Sequence, residues 1–146
     1  NTRKRAEGQE PKPDMVAIQD IINNQYPHFL YVRNSDGEAV QDANGSWQTT
    51  GAAWKLHASC REETNGKGTQ IQAANGRFIT FASLIQLPAG TERVGLGQEV
   101  AAADRELLPS ELTDEALQDA QAEGAVRIIG ECLKFDKGRL HCRLWV

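Results

Sequence analysis

The 146-residue sequence lacks the marks of several functional classes at once. It has no Gly-x-Ser-x-Gly elbow, no phosphate-binding loop and no dinucleotide fingerprint. Gly95-Leu96-Gly97 is a lone glycine pair and reads as a turn. The three histidines, His28, His57 and His141, each stand alone in a strand-like segment, whereas a metal centre wants three or more ligands at recognisable spacing. The expectation is therefore no catalytic residue, no metal, no cofactor and no enzyme. No apolar run approaches the roughly 20 residues needed to cross a bilayer, and no stretch has the h-region of a signal peptide. An excess of positive charge is missing too: the net charge is −4, opposite to the field of a general nucleic-acid binder.

Cys60, Cys132 and Cys142 make an odd count with no Cys-x-x-Cys spacing. In a reducing compartment all three can be buried thiols; in an oxidising one a single cysteine would be left over. The thiol reading is preferred, because buried free cysteine behaves as a small hydrophobe.

What is present is strand patterning. Residues 26–33 form a first strand by composition, with Pro27 holding it to a strand start or a sheet edge. Residues 34–51 are loop, with turn signals at Asp36-Gly37 and Asn44-Gly45 and room for a brief strand at Val40. Residues 53–62 alternate Trp54, Leu56, Ala58 and Cys60 inward against Lys55, His57, Ser59 and Arg61 outward. A hairpin follows over residues 69–87. A three-residue loop Ala74-Asn75-Gly76 sets Ile71 opposite Ile79 and keeps one face apolar, lined by Ile79, Phe81, Ile85 and Leu87. Residues 98–102 are a short strand. Then the period changes: Ser110, Asp114 and Glu115 open a helix, Leu112, Ala116, Leu117 and Ala120 form its apolar stripe, and Gly124 ends it.

The last 21 residues, Val126 to Val146, read as a second hairpin. A three-residue turn Asp136-Lys137-Gly138, with Gly138 left-handed, pairs Cys132 with Cys142, Glu131 with Arg143 and Ile129 with Trp145. A two-residue turn Lys137-Gly138 instead pairs Phe135 with Leu140 and Leu133 with Cys142. In either register Cys132 and Cys142 lie on adjacent strands. Arg127, Lys134, Lys137, Arg139 and Arg143 form a basic cluster there, either a solvated face or, with Phe135 and Trp145 as stacking platforms, an oligonucleotide surface.

The patterning predicts a mainly β chain: a small antiparallel β-barrel or sandwich over residues 26–146 with one inserted helix at about 107–124. Residues 1–25 are a polar N-terminal arm, and residues 14–25 within it form a short helix or an extended segment. Residues 1–13 offer almost no apolar area, so they settle by lying on their own domain or on a neighbouring subunit. Arg3, Lys4 and Arg5 are the candidate assembly contacts.

Leu133-Lys134-Phe135-Asp136-Lys137-Gly138-Arg139-Leu140-His141-Cys142-Arg143-Leu144-Trp145-Val146 resembles the C-terminal end of small head-tail connector proteins, the head-closure or stopper proteins of long-tailed phages and prophages. In that group a chain often ends Arg-Phe-x-x-Gly-Gln-Leu-His-x-Arg-Leu-Trp-Val. The likeness is best over residues 126–146 and reaches back to residue 53 through the hairpin at residues 69–87 and Pro88-Ala89-Gly90-Thr91; the helix at 107–123 departs from the compact pattern. The resemblance implies a small β-barrel in the virion neck, assembled in the host cytoplasm and acting in DNA packaging. Its partners would be copies of itself in an oligomeric ring, a portal or adaptor protein above, a tail protein below, and DNA touched non-specifically in the channel, with no membrane. The loops holding Asn44 and Gly45, or Gly66, Lys67 and Gly68, would face the channel or a partner. The alternative from another class is a monomeric oligonucleotide- or carbohydrate-binding β-barrel module.

Overall fold

The computed structural model describes residues 24–34, 39–41, 47–49, 53–73 and 75–146. Their strands are β1 (His28–Arg33), β2 (Ala39–Gln41), β3 (Trp47–Thr49), β4 (Trp54–Thr64), β5 (Gln70–Gln72), β6 (Phe78–Thr80), β7 (Ser83–Pro88), β8 (Glu99–Ala103), β9 (Val126–Glu131), β10 (Lys134–Lys137) and β11 (His141–Trp145). A 3-10 turn, Pro109–Glu111, and one helix, α1 (Asp114–Glu123), lie between β8 and β9. Seven strands form one sheet in the order β10-β11-β7-β4-β1-β8-β9, each neighbour antiparallel; β2–β3 and β5–β6 are separate two-stranded ribbons. The chain is thus mainly β with one inserted helix, as its patterning requires.

The two edge strands of the large sheet are successive pieces of one chain segment. Six antiparallel steps separate β10 from β9, so the two run in the same direction, and only Cys132 and Leu133 lie between them. Cys132 N–H donates to Gln98 C=O on the β8 side, and the next amide, Leu133 N–H, donates to Trp145 C=O on the β11 side. One strand therefore switches partners within two residues, which curls the sheet back on itself. At the switch a Cβ on Gly130 would come 3.5 Å from the Val146 side chain. The expected hairpin over residues 126–146 is corrected accordingly: β9 pairs with β8, and only β10 folds back on β11.

The curled sheet has a core on each face. Inside lie Leu30, Val32, Cys60, Ile85, Leu87, Val100, Ala102, Phe135, Cys142, Leu144 and Val146. Outside, α1 covers Tyr31, Trp54, Ala101, Ala103 and Val126 with Leu117 and Ala120. Ala101, Ala102 and Ala103 are all fully buried, because β8 is packed on both faces and small side chains let the helix come close. Each large side chain so buried contributes about 1.5–3 kcal/mol.

Local signals place the ends of these elements. Thr113 Oγ1 accepts from Ala116 N–H to cap α1, so the cap is Thr113 and the Ser110 region is the separate 3-10 turn. Gly124, at φ +94°, closes the helix in the left-handed region. The β5–β6 ribbon has the expected register, Ile71 opposite Ile79, with Gly76 at φ +85°. Its far strand does not continue to Leu87, however. The chain breaks at Phe81-Ala82, and β7 enters the large sheet.

The alternation of β4 also changes midway. Leu30 pairs with Ala58 but Tyr31 pairs with Leu56, leaving His57 as an extra residue. The bulge turns Leu56 and Trp54 to the opposite face from Ala58 and Cys60. Trp54 is buried beneath α1, and Leu56, expected inside, is 46% exposed.

Candidate functional site

The terminal hairpin is the stretch that the sequence singles out, and its register differs from both expectations. Lys134 pairs with Trp145, Phe135 with Leu144, Asp136 with Arg143 and Lys137 with Cys142. Gly138 N–H donates to His141 C=O, so Arg139 and Leu140 form the turn. Gly138 is not left-handed; glycine is needed there because a Cβ would stand 2.6 Å from the His141 carbonyl oxygen. Cys142 faces Lys137 and Leu87, and Cys132 lies before the hairpin, its thiol 3.8 Å from Val94 O. The two cysteines share the inner core but are not strand partners, and all three thiols are free. Burial pushes the Cys60 thiol up to about 12 and the Cys132 thiol up to about 11, so neither is a reactive thiolate near neutrality.

The basic cluster divides. Lys134 and Arg143 sit over the Trp145 ring at 5.2 and 5.5 Å, and Arg93 over Phe135 at 5.5 Å. Arg143 also pairs with Asp136 at 2.7 Å. Phe135 and Trp145, at 7% and 9% exposure, are largely buried, so neither is open as a stacking platform. Arg127 stands apart from the others, on the far side of the strand switch.

Arg127 belongs to a polar network that sequence reading missed. Glu62 and Ser83 take inward positions near the end of the curled sheet and are 5% and 1% exposed. Glu62 accepts from Ser83 Oγ at 2.5 Å, Thr64 Oγ1 at 2.9 Å and Arg127 Nε at 2.7 Å. Arg127 also reaches Asp104 at 3.1 Å, and His28 Nε2 lies 3.4 Å from the same carboxylate. His28 Nδ1 accepts from the Glu62 amide, which places the neutral ring's proton on Nε2, toward Asp104. Burial alone would raise the Glu62 carboxyl; the three hydrogen bonds outweigh it and hold the group below its ordinary value. Burial, and then the Arg127 charge, lower His28 against the pull of Asp104 and Glu62. Arg127 is aimed inward by a second bulge: Ala102 pairs with Ile128 and Ala103 with Val126, leaving it without a strand partner. A glutamate at the next inward position of an alternating strand, after Cys60, and a basic residue in an apolar run are the available signals. Their partners, 65 residues apart, are not.

Of the remaining sequence-predicted residues, Arg3, Lys4, Arg5, Asn44 and Gly45 lie outside the described residues. Gly66, Lys67 and Gly68 form an exposed turn after β4, with Gly68 at φ +72°. Asn65 secures its base: its side-chain amide donates to Thr69 C=O and Phe81 C=O, and its oxygen accepts from Thr69 N–H.

Two of the surface clefts are formed by described residues. One, of about 240 Å³, lies beside the start of α1 and holds Arg33, Trp54, Glu99 and Asp114. Its one cation is already engaged, since Arg33 grips Asp114 with two hydrogen bonds of 3.0 and 2.9 Å and Trp54 Nε1 donates to the same carboxylate at 2.7 Å. The other, of about 310 Å³, lies between the β5–β6 ribbon and the 91–97 loop and is lined by Gln72, Ala73, Arg93, Leu96, Leu133, Lys134 and Phe135. Among the described residues no helix is long and apolar enough to cross a membrane. No protein-family model, curated protein or solved structure matches this chain.

Proposed function

We propose that this chain is a structural subunit of a phage neck, a head-tail connector or head-closure protein. In this reading it assembles with copies of itself into a ring, joins a portal or adaptor protein to a tail protein, and lines the DNA channel in the virion. The observation that carries the reading is the place of Leu133–Val146, the stretch through which the resemblance to connector proteins runs. It supplies the β10–β11 hairpin and the partner switch of a small curled antiparallel sheet, with β11 between β10 and β7 and its Leu144, Trp145 and Val146 buried. A domain of that kind, carrying an exposed ribbon and an exposed turn at Gly66–Gly68, suits contacts with neighbours better than chemistry. Any grip on DNA would come from local basic side chains meeting phosphates, because the chain as a whole is acidic.

The test is the mass of the full chain alone and mixed with purified portal rings, by native mass spectrometry and negative-stain microscopy. A closed ring, or a ring seated on the portal, is the expected result. A chain that stays monomeric and ignores the portal, but shifts with oligonucleotide or glycan, overturns the reading in favour of a binding module.

A further inference from the structure

The groove between the β5–β6 ribbon and the 91–97 loop combines features that a free surface does not normally hold together. Leu96, in its wall, is 61% exposed. Phe78 is 66% exposed and stands directly opposite Gln72 of the wall, so its ring lies on the same face of the ribbon. Arg93 and Lys134 complete the lining, and among the described residues neither has a carboxylate partner. Each instead lies over an aromatic ring, Arg93 over Phe135 and Lys134 over Trp145, which leaves two positive charges unneutralised beside an apolar floor, the pattern of a site for a partner that is acidic and carries one large apolar side chain.

The same chain exposes such a segment. Glu115, Asp119 and Glu123 recur every four residues on α1, form one exposed stripe and have no salt-bridge partner among the described residues. Like charges at that spacing disfavour a helix, and Glu123 in the last turn, with no basic residue there, opposes the helix dipole. Leu108, just before the 3-10 turn that leads into α1, is 61% exposed. The helix and the groove share no residue.

We propose that the groove is a self-docking site: Arg93 and Lys134 of one copy receive the Glu115–Asp119–Glu123 stripe of the next, with its Leu108 set against Phe78 and Leu96. Because two different patches meet, the contact is head-to-tail, and repetition gives a ring or an open filament. The proposal rests on the ring reading above for the closure of the assembly, not for the contact itself.

Sedimentation of the full chain over a concentration series tests it. Phe78→Asp with Leu96→Asp places charge on side chains already in solvent, so folding, checked by circular dichroism, is preserved. Self-association should weaken at least tenfold. Arg93→Glu with Lys134→Glu, and separately Asp119→Lys with Glu123→Lys, should each weaken it similarly, and mixing those two charge-reversed proteins should restore assembly. Wild-type self-association that none of these variants changes overturns the groove assignment and leaves the ring reading standing. A wild-type chain that is monomeric up to its solubility limit overturns self-docking as well; portal binding then decides the ring reading separately.

Discussion

Replacing Arg127 with alanine strands a buried charge, and the cost follows from the geometry. Among the described residues Glu62 Oε1 has one hydrogen-bond donor, Arg127 Nε at 2.7 Å, whereas Ser83 and Thr64 both serve Oε2. The Glu62 side chain is 2% exposed and that of Arg127 is 37% exposed. Breaking a fully buried ion pair costs about 3–5 kcal/mol. Water entering where Arg127 meets solvent reduces this, and the half-exposed Asp104 contributes little. We expect a loss of about 2–3 kcal/mol near neutral pH, read by urea unfolding with fluorescence from the three tryptophans. The pH dependence sharpens the test. In the wild type the folded Glu62 titrates below its unfolded value, so its contribution is present above about pH 4.3 and fades as pH falls through the lower folded value. Arg127 supplies both a hydrogen bond and a charge that lower the carboxyl, so without it the folded group titrates higher than in the wild type. The ionised group is then less well held in the variant at neutral pH, and that difference disappears on acidification. The gap between the two proteins should therefore shrink toward about pH 4. A loss under about 0.5 kcal/mol, or one as large at pH 4 as at pH 7, refutes the account of Glu62 as a buried anion held by Arg127.

Gly138→Ala should destabilise by about 1–3 kcal/mol, because the new methyl meets the His141 carbonyl and the β10–β11 turn must open. Unchanged urea unfolding would show that the turn yields freely. Native protein at mildly alkaline pH should leave Cys60 and Cys132 unlabelled by a thiol reagent, while unfolding without reductant should expose three free thiols. Fast native labelling at Cys60, or a single thiol on unfolding, counts against that picture.

Where a short stretch decides its own conformation, the sequence could be read directly. Asn75-Gly76 needs a positive φ and thereby fixes Ile71 against Ile79; Gly124 ends α1 for the same reason. The change from strand to helical period at Leu112–Ala120 placed the inserted helix, and the helix does lie between two neighbouring strands of one sheet. Strand alternation likewise sufficed for the fold class. It did not suffice for register. Val126–Lys137 has the pattern of one hairpin arm, but which strand an arm pairs with depends on edges supplied by residues far away, here β8 for one half and β11 for the other. The bulges at His57 and Arg127 reverse alternation without a local signature, so alternation alone puts Leu56 and Trp54 on the wrong face and groups Arg127 with a basic surface. Three consecutive buried alanines in β8 are featureless in sequence; they acquire meaning when a curled sheet fills one face and α1 the other. The Glu62 network belongs to the same class of fact. Its members come from β1, β4, β7, β9 and the end of β8, and tertiary structure alone brings those charges within hydrogen-bond reach and shuts most of the water out.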